Sequence, residues 1–509
     1  MKVNSICIVG GGSSGWMMAL ALNKNLPNIN VTLVESPVIQ KVGVGESTIP
    51  YTAQFFKEIL GLKDKEWMPY CNATYKAAIK FNDFYKKGET FYHSFWTEKE
   101  AGYNGFDWAI KKTLTNLNKP NLDDYSSSNF IAYHMCLENK FNTLDTEEFG
   151  NEQFAYAHHM DAHKFGEFCK KRFKGKHILA TVSHAKTERS NIVSVTTDKG
   201  IIEADMFVDC SGFKALLIDK TLHEPFDSIA DTLLNNKAIT CRIPYKNKTQ
   251  ELEPYTDCTA LSSGWAWNIP LWHRVGSGYV YSSKFQSDSS AAKEYRQYLT
   301  DRFGKKRSDE VEFKTINIKT GKYQRGWVGN CIALTLASGF IEPLESTGLA
   351  LACYQIQDFV EKLEDYEYSV FKRSIYNQDL DAVFKEIHNF VLLHYVGSKR
   401  EDTPYWKHIK HNLDIPKSLT DYVLEEDKGK WFTPKSREQI LLGWHIPSEY
   451  SSSNLMWNQR ALASYSKQEQ TEMLAQLTYI DETKKYYKQL TTQMIPLNKY
   501  LKEGMYKKK

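Results

Sequence analysis

The sequence predicts an α/β fold built around a parallel sheet, and three features of the chain point to it. First, the apolar run SICIV at residues 5–9 leads directly into a glycine-rich segment. Second, an apolar helical stretch at 16–26 is followed by the run VTLVE at 31–35. Third, similar runs return at 202–208 and 327–334, and each leads into a turn. Short apolar runs rich in β-branched residues are typical of strands that are buried on both faces, as in a parallel sheet.

The glycine-rich segment has the spacing of a dinucleotide-binding turn. It reads GGGSSG from Gly10 to Gly15, and an acid, Glu35, stands twenty residues after Gly15 at the end of the second predicted strand. In such a turn the first glycine permits the sharp bend, Gly12 lets the backbone approach a pyrophosphate, and the last glycine lets the helix pack on the strand. Free N–H groups at the helix start attract phosphate, and the acid accepts hydrogen bonds from ribose hydroxyls. The agreement of strand, helix and acid favours this Rossmann-type site over a glycine turn without a ligand.

Later segments extend the fold and divide the chain. Alternating aromatic residues at 265–281 predict further sheet, and an apolar stretch at 349–363 predicts a helix that the preceding Thr-Gly pair opens. The remainder of the chain has a mostly helical pattern. We therefore expect a core over residues 1–360 that includes a sheet-rich insert, and a helical C-terminal region over residues 361–509.

Composition excludes several classes of protein. The chain has 509 residues, of which 42% are apolar and 25% are charged, as in an ordinary globular protein, and its net charge is +4. So small a charge gives no argument for nucleic acid or an anionic membrane as a partner, and no apolar run approaches the roughly 20 residues of a membrane span. The nine cysteines are scattered without a CxxC pair, which predicts reduced thiols and a cytoplasmic location. We expect no secretory signal, because the first predicted strand runs directly into the glycine turn.

Two lysines and two glutamates stand among apolar residues and are candidates for chemistry. Lys76 and Lys80 lie in NATYKAAIKF, and Glu342 and Glu345 lie in FIEPLESTG. The plain alternative for the lysines is a surface position in which the aliphatic stem covers apolar neighbours. If Lys76 met Glu345, the carboxylate would stabilise an ammonium group that is otherwise costly to bury. The residues alone leave both interpretations open.

No metal site is predicted, although three histidines cluster in the chain. His159 and His163 have the spacing of neighbours on one helix face, next to His158. A zinc site would need further ligands, and the chain contains no HExxH sequence. We therefore interpret these residues as ordinary helix histidines. The chain also lacks the Walker A sequence.

Several motifs together resemble the flavin-dependent halogenases of the tryptophan-halogenase family. In chain order they are GxGxxGW at 10–16, GVGESTIP at 43–50, NATYK at 72–76, FYHSF at 91–95, DCSGF at 209–213, WAWNIP at 265–270, FIEPLESTG at 340–348 and DTPYW at 402–406. WAWNIP matches the family's WxWxIP signature, which is moderately specific by itself. Its combination with the lysine block and EPLESTG, in this order, is very specific. The resemblance spans roughly the first four-fifths of the chain and implies a flavin monooxygenase-like, FAD-binding core.

The resemblance implies a reaction. Reduced FAD, supplied by a separate and transient NAD(P)H-dependent flavin reductase, would react with O2, and halide (chloride, bromide or iodide) would become hypohalous acid. This oxidant would travel through a tunnel to an aromatic substrate. By match, Lys76 positions or captures the halogenating species, and Glu345 stabilises that lysine and helps to accept the ring proton. Thr347 and Gly348 would bind halide through backbone N–H groups at a helix start, which attracts anions.

The same matches assign the remaining site residues. His93 and Phe95 match aromatic residues that sandwich the indole in tryptophan halogenases, and stacking on a flat, electron-rich ring suits such a pair. WxWxIP is thought to keep substrate away from the flavin. The residues expected to contact FAD are Gly10, Gly12, Ser13, Ser14, Gly15, Ser36, Glu46, Val182, Leu336 and Leu349.

The chain departs from the family near its C-terminal end. Tryptophan halogenases carry an acid, a Trp and an Asn-Tyr-Tyr cluster there, which grip the amino-acid backbone, whereas the corresponding region here reads YSSSNLMWN at 450–458. A site that binds the ammonium and the carboxylate of an amino acid needs polar partners at fixed positions, so we expect an indole, a phenol or another aromatic rather than free tryptophan.

The helical C-terminal region would cover this substrate site, and a homo-oligomer is compatible with the sequence. The alternatives are an aromatic hydroxylase on the same flavin fold and a flavin-binding protein without catalysis.

Overall fold

The computed structural model describes residues 1–39, 45–101, 105–115, 122–149, 153–424, 431–443 and 461–507. By its internal contacts the chain divides into two units, and each unit is assembled from three separate stretches of sequence. The first unit comprises Met1–Ala73, His159–Asn236 and Asn317–Lys385, and the second unit comprises Thr74–His158, Lys237–Ile316 and Glu386–Lys509.

Strands occur throughout the first two-thirds of the chain. In chain order they are β1 Ser5–Val9, β2 Asn30–Glu35, β3 Glu46–Ser47, β4 Thr74–Lys76, β5 Ala78–Asn82, β6 Thr90–Ser94, β7 Ala157–Met160, β8 Lys176–Leu179, β9 Val182–Glu188, β10 Asn191–Thr197, β11 Gly200–Glu203, β12 Met206–Asp209, β13 Phe226–Ser228, β14 Lys237–Ile243, β15 Tyr255–Ala260, β16 Gly264–Pro270, β17 Val275–Tyr281, β18 Lys314–Asn317, β19 Gly321–Tyr323, β20 Trp327–Val328, β21 Cys331–Ala333 and β22 Gly339–Phe340.

Helices alternate with these strands and dominate the last third of the chain. In chain order they are α1 Ser13–Asn25, α2 Pro50–Glu58, α3 Asp64–Trp67, α4 Glu98–Ala101, α5 Gly105–Leu114, α6 Leu122–Asn129, α7 Ile131–Leu137, α8 Ala162–Arg172, α9 Lys248–Glu251, α10 Asp288–Phe303, α11 Lys305–Glu310, α12 Thr347–Lys362, α13 Val370–Val396, α14 Pro404–Asn412, α15 Lys417–Leu424, α16 Pro434–Gly443, α17 Lys467–Gln476, α18 Tyr479–Gln493 and α19 Leu497–Gly504. Short 3-10 turns lie at Glu147–Phe149, Gly212–Lys214 and Thr335–Ala337.

The first unit is built on a six-stranded sheet in the order β20-β21-β12-β1-β2-β8. β1 pairs in parallel with β2 and with β12, so it lies inside the sheet. Its side chains Ile6, Cys7 and Ile8 are fully buried, because helices cover both faces of such a sheet. The helix α1 follows β1 directly and buries Trp16 and Met17. The predicted α/β fold with a parallel sheet is therefore confirmed.

The second unit is built on a seven-stranded, mostly antiparallel sheet. Its order is β18-β14-β17-β16-β15-β5-β6, with β15 and β5 parallel. The helix α10 packs its buried side chains Tyr295 and Leu299 into a cluster with Tyr279 and Ile239 of the sheet. The sheet predicted over residues 265–281 is confirmed as the hairpin of β16 and β17.

Three local predictions were wrong. The run 202–208 is not one strand, because the chain turns at Asp205, whose carboxylate accepts hydrogen bonds from the backbone N–H groups of Asn4 and Ser5. The run 327–334 is a tight hairpin of β20 and β21. His159 and His163 share no helix, since His159 belongs to β7 and His163 to α8.

Two searches of the described residues bear on the chemistry. No helix in the described ranges is long and apolar enough to cross a bilayer. Within the same ranges, no group of three or more His, Cys, Asp or Glu side chains is arranged to hold a metal ion.

Candidate active site

The glycine-rich turn between β1 and α1 is shaped by close backbone contacts. Gly10 has a φ of +122°, and a Cβ atom there would lie 2.2 Å from the carbonyl oxygen of Cys210. A Cβ atom on Gly15 would lie 2.0 Å from the carbonyl oxygen of Gly10. At Gly12 no heavy atom of the described residues lies within 4 Å of the Cβ position. Packing therefore demands glycine at Gly10 and Gly15, whereas Gly12 leaves open space at the start of a helix.

The first turn of α1 uses its side chains within the protein. The Ser13 hydroxyl donates to the carbonyl oxygen of Ala162 at 2.7 Å, and the Ser14 hydroxyl lies 3.1 Å from the hydroxyl of Thr335. The leading N–H groups of a helix have no partner inside it. What α1 offers an anionic ligand is therefore its backbone N–H groups beside Gly12.

The acid that ends β2 has two basic neighbours that the local sequence pattern did not reveal. Glu35 is buried, and its Oε2 lies 3.0 Å from Nε2 of His177 and 3.5 Å from Nζ of Lys170. The next residue, Ser36, lies with its hydroxyl 2.9 Å from that of Thr181, directly before β9 and Val182. Only the parallel pairing of β2 with β8 brings His177 to Glu35.

A strained turn after β21 faces the same helix start. Thr335 has a φ of +51°, a left-handed conformation that is unusual for a β-branched residue. The fully buried side-chain amide of Gln355 on α12 holds this turn. Its oxygen accepts a hydrogen bond from the Thr335 N–H at 2.9 Å. Its nitrogen donates to the Ala333 carbonyl oxygen at 3.2 Å and to the Ser338 hydroxyl at 3.0 Å. This anchoring fixes the backbone at Leu336, one of the predicted FAD contacts.

Another predicted cofactor residue, Glu46, titrates near neutral pH. It begins β3, which pairs with β7 through Met160. Burial, reinforced by the negative charge of Asp161, raises the pKa of Glu46 to about 7. The carboxyl group therefore changes its charge in the pH range where enzymes usually work.

The segment that precedes α12 buries two acids at a helix start. Glu342 and Glu345 are fully buried, and Glu342 accepts a hydrogen bond from Nδ2 of Asn235 at 2.7 Å. Ser346 is the N-cap residue of α12 and has a φ of +61°. The Thr347 hydroxyl is fully buried and has no hydrogen-bond partner among the described residues. A buried hydroxyl beside free helix N–H groups suits a small anion.

In the second unit, the strand β4 carries a fully buried lysine. Lys76 is 0% exposed, which excludes the surface alternative for this residue. Its Nζ lies 5.3 Å from the centre of the Phe95 ring. The strand is tied to the end of β16 by the Thr74 hydroxyl, which donates to the carbonyl oxygen of Pro270 at 2.6 Å. The WAWNIP strand thus helps to place the lysine.

The rings of His93 and Phe95 lie close together, and two further rings join them. The His93 and Phe95 ring centroids are 6.3 Å apart, and His93 lies edge-on to Phe390 of α13 at 5.6 Å. Phe390 stacks on Phe432 at 3.8 Å. No local pattern singles out Phe390 or Phe432, because only the folding of α13 against the sheet brings them near β6.

Two other motifs serve packing. On β16, Trp265 and Trp267 are buried, and the Trp267 ring fills the space over Gly278, where a Cβ atom would lie 2.2 Å from it. The Asp209 carboxylate accepts from the Ser211 hydroxyl and from the N–H groups of Leu217 and Ile218, and so holds the turn after β12.

The predicted site residues are divided between the two units. The first unit holds Gly10, Gly12, Ser13, Ser14, Gly15, Ser36, Glu46, Val182, Leu336, Glu345, Thr347, Gly348 and Leu349, and the second unit holds Lys76, His93 and Phe95. The segment at 450–458, which lacks the family's substrate-gripping cluster, lies outside the described residues, as do Gly43 and Val44. The meeting of Lys76 with Glu345 stays a prediction.

Comparisons with known proteins agree on one family. The family model described as tryptophan halogenase matches residues 5–457. The tryptophan 6-halogenase SttH of Streptomyces toxytricini is 35% identical over 478 residues, which cover 88% of this chain and 88% of SttH. Among solved structures, VirX1 in its apo form superposes with a TM-score of 0.87 at 31% identity, covering 99% of both chains. Tar14, a tryptophan C-6 flavin-dependent halogenase (chlorinase) from taromycin biosynthesis, gives a TM-score of 0.82 at 31% identity, covering 98% of this chain and 99% of its own.

Proposed function

The chain belongs to the tryptophan halogenase family and is a flavin-dependent halogenase, and on that premise we propose that it halogenates an electron-rich aromatic of the indole or phenol type through Lys76. Reduced FAD, when bound, supplies with O2 the oxidising power that converts halide into hypohalous acid. The observation that carries the proposal is the fully buried Lys76 ammonium beside the Phe95 ring. Burying an ammonium group lowers the stability of the fold, so a fully buried lysine indicates a functional role.

The first unit offers a fitting place for the cofactor. Open space at Gly12, next to the free N–H groups of α1, suits the pyrophosphate of FAD. Glu35, held by His177 and Lys170, stands at the strand end where a ribose hydroxyl is expected. The residues that would hold FAD are those predicted from the sequence: Gly10, Gly12, Ser13, Ser14, Gly15, Ser36, Glu46, Val182, Leu336 and Leu349.

The start of α12 supports the assignment of the halide site. Thr347 and Gly348 carry the leading N–H groups of the helix, and the buried Thr347 hydroxyl can donate one more hydrogen bond to an anion. A halide held there would occupy a place with positive helix potential. Because the anion would be held by N–H and O–H donors, this site would accept chloride, bromide or iodide on the same contacts.

The second unit supports an aromatic substrate. His93 and Phe95 present rings within 6.3 Å of each other, and such rings hold a flat substrate by edge and face contacts. The Lys76 ammonium beside Phe95 would direct the halogenating species to a substrate ring that rests on Phe95. Glu345 would stabilise this ammonium and accept the proton that leaves the substrate ring.

The hydroxylase alternative is not favoured, because the similar proteins are halogenases. The reduced flavin would come from a separate NAD(P)H-dependent reductase that associates transiently. All nine cysteine thiols are free, which supports the proposed cytoplasmic location.

The test is a halogenation screen. The protein is incubated with FAD, a flavin reductase, NADH, and chloride, bromide or iodide in turn, together with indole, phenol, tryptophan and related aromatics. Mass spectrometry is expected to show a halogen-bearing product with at least one indole or phenol. Oxygenated product that forms equally well without halide would contradict the proposal.

A further inference from the structure

The strand that carries His93 is bound at its outer edge by a side-chain amide. β6 is the last strand of the seven-stranded sheet and pairs on its inner side with β5. On its outer side, the Ser94 N–H donates to Oε1 of Gln439 at 2.9 Å, and Nε2 of Gln439 donates to the Ser94 carbonyl oxygen at 3.1 Å. Both residues are fully buried. The amide of Gln439 thus makes the two hydrogen bonds that a neighbouring strand would make.

The residue bound in this way lies between the two proposed substrate-contacting residues. Ser94 separates His93 from Phe95, and the Phe95 N–H donates to the Ala77 carbonyl oxygen at 2.9 Å. The backbone at 93–95 is therefore held by the sheet on one side and by Gln439 on the other. We propose that Gln439 is a positioning residue, which sets the mutual angle of the His93 and Phe95 rings and so determines where a substrate ring lies relative to Lys76. This inference rests on the proposed function.

The helix that carries Gln439 is seated by polar contacts. Residues 435–439 of α16 (KSREQ) are at most 9% exposed although all five are polar. Lys435 donates to the Glu100 carbonyl oxygen and Arg437 to the Tyr422 carbonyl oxygen. Glu438 accepts a hydrogen bond from the Tyr125 hydroxyl at 2.9 Å.

This seating makes the position of Gln439 specific. Apolar contacts tolerate small shifts, whereas a buried polar group that moves off its partner loses the bond and remains desolvated. Three such contacts along one short helix, at Lys435, Arg437 and Glu438, fix its rotation and its translation together. The Gln439 amide is therefore held against Ser94 with little freedom to slide along β6.

Two variants test the assignment. Gln439→Leu keeps the approximate size of the side chain and removes both hydrogen bonds. Gln439→Glu keeps the shape, but only its protonated form can both donate to the Ser94 carbonyl oxygen and accept from the Ser94 N–H. Gln470→Leu is the matched control, because the Gln470 amide also donates to backbone carbonyl oxygens, those of Leu462 and Tyr465, and not to the backbone of β6.

The readouts use indole and bromide as probes. For Gln439→Leu we expect at least a fivefold rise in the KM for indole and in its Kd by calorimetry, an altered ratio of bromoindole isomers, and an FAD Kd within twofold of the unmodified protein. Gln470→Leu should change none of these values. The kcat/KM of Gln439→Glu, divided by that of the unmodified protein at the same pH, should rise at least threefold from pH 8 to pH 6 as the carboxyl group gains its proton. The division cancels the pH dependence that both proteins share through the charged groups near this helix, which include Lys435, Glu438 and Glu100.

The outcomes separate the two proposals. If the unmodified protein brominates indole while Gln439→Leu keeps its KM and isomer ratio, the positioning role is overturned and the proposed function stands. If Gln439→Leu does not fold, a flat pH ratio for Gln439→Glu overturns the role instead. If the unmodified protein neither binds nor brominates any aromatic of the screen, the proposed function fails and the positioning role with it.

Discussion

The Nζ atom of Lys76 lies 5.3 Å from the centre of the Phe95 ring, and both side chains are buried. The negative face of an aromatic ring attracts a cation, more strongly where water is excluded. The ring that is proposed to hold the substrate therefore also stabilises the ammonium that is proposed to act on it. Under the proposed function this pair serves both substrate binding and catalysis, and the first prediction concerns it.

Replacing the buried lysine should abolish halogenation and leave cofactor binding intact. For Lys76→Ala we expect at least a roughly 100-fold loss of kcat, since a directing group in contact with the reacting species is removed. The FAD Kd, measured by fluorescence, should stay within twofold because the glycine turn lies in the first unit. The control is Lys80→Ala, because Lys80 lies on β5 with its Nζ 5.7 Å from the Tyr255 ring, and its loss should lower kcat less than threefold. Equal activity of Lys76→Ala and the unmodified protein would remove Lys76 from its role.

The Thr347 hydroxyl should contribute to halide binding at a cost in stability. For Thr347→Val we expect a roughly tenfold higher KM for bromide, as expected when one hydrogen bond to an anion is lost. Without halide, the free energy of unfolding of the same variant should be higher by about 1 kcal/mol, because a buried hydroxyl without a hydrogen-bond partner is removed. Thr491→Val is the control of opposite sign, since the buried Thr491 hydroxyl donates to the Tyr487 carbonyl oxygen at 2.7 Å. Bromide titration and denaturant unfolding measure both effects, and a destabilised Thr347→Val with unchanged bromide KM would refute the assignment.

The amide of Gln355 should support FAD binding from a distance. Gln355→Leu removes three buried hydrogen bonds that hold the left-handed turn at Thr335, so the turn should relax and the FAD Kd should rise about tenfold, equivalent to about 1.4 kcal/mol. Gln357→Leu on the same helix is the matched control, because the half-buried Gln357 contacts Tyr51 and Glu361 instead. Calorimetry with FAD reports the difference. If both variants bind FAD equally well, the turn does not need its anchor.

Glu46 should make stability depend on pH. Its pKa is raised from 4.5 in a free glutamate to about 7 in the folded protein, so the folded state binds the proton more tightly than the unfolded state. Ionisation of Glu46 therefore lowers the free energy of unfolding as the pH rises from about 4.5 to 7, by at most about 2 kcal/mol for a half-buried group. Glu46→Gln lacks this loss.

Denaturant unfolding without FAD at pH 5 and at pH 8 measures this effect. The gain of Glu46→Gln over the unmodified protein should be small at pH 5 and largest at pH 8. A gain that is equal at both pH values would show that the effect does not come from ionisation of Glu46.

Much of the first unit could be predicted from local pattern. The strand predicted at 5–9 is β1, Ser5–Val9, and the predicted helix 349–363 is α12 with a start two residues earlier. Such elements are readable because burial on both faces leaves a continuous apolar run and because helix starts have their own residue preferences. The strand predicted at 202–208 failed since an apolar run cannot show that Asp205 leaves the sheet to bind the backbone of Ser5.

The sequence by itself determined the family, the glycine turn and the candidate site residues, because each depends on which residue types stand at short spacings along the chain. Only the tertiary structure decided that Lys76 is buried against Phe95 and that Gln439 completes the edge of β6 at Ser94. Gln439 follows Ser94 by 345 positions. Burial and hydrogen bonding between groups so far apart in the sequence depend on how the sheet and the helices pack. A short stretch of sequence does not contain the information that sets this packing.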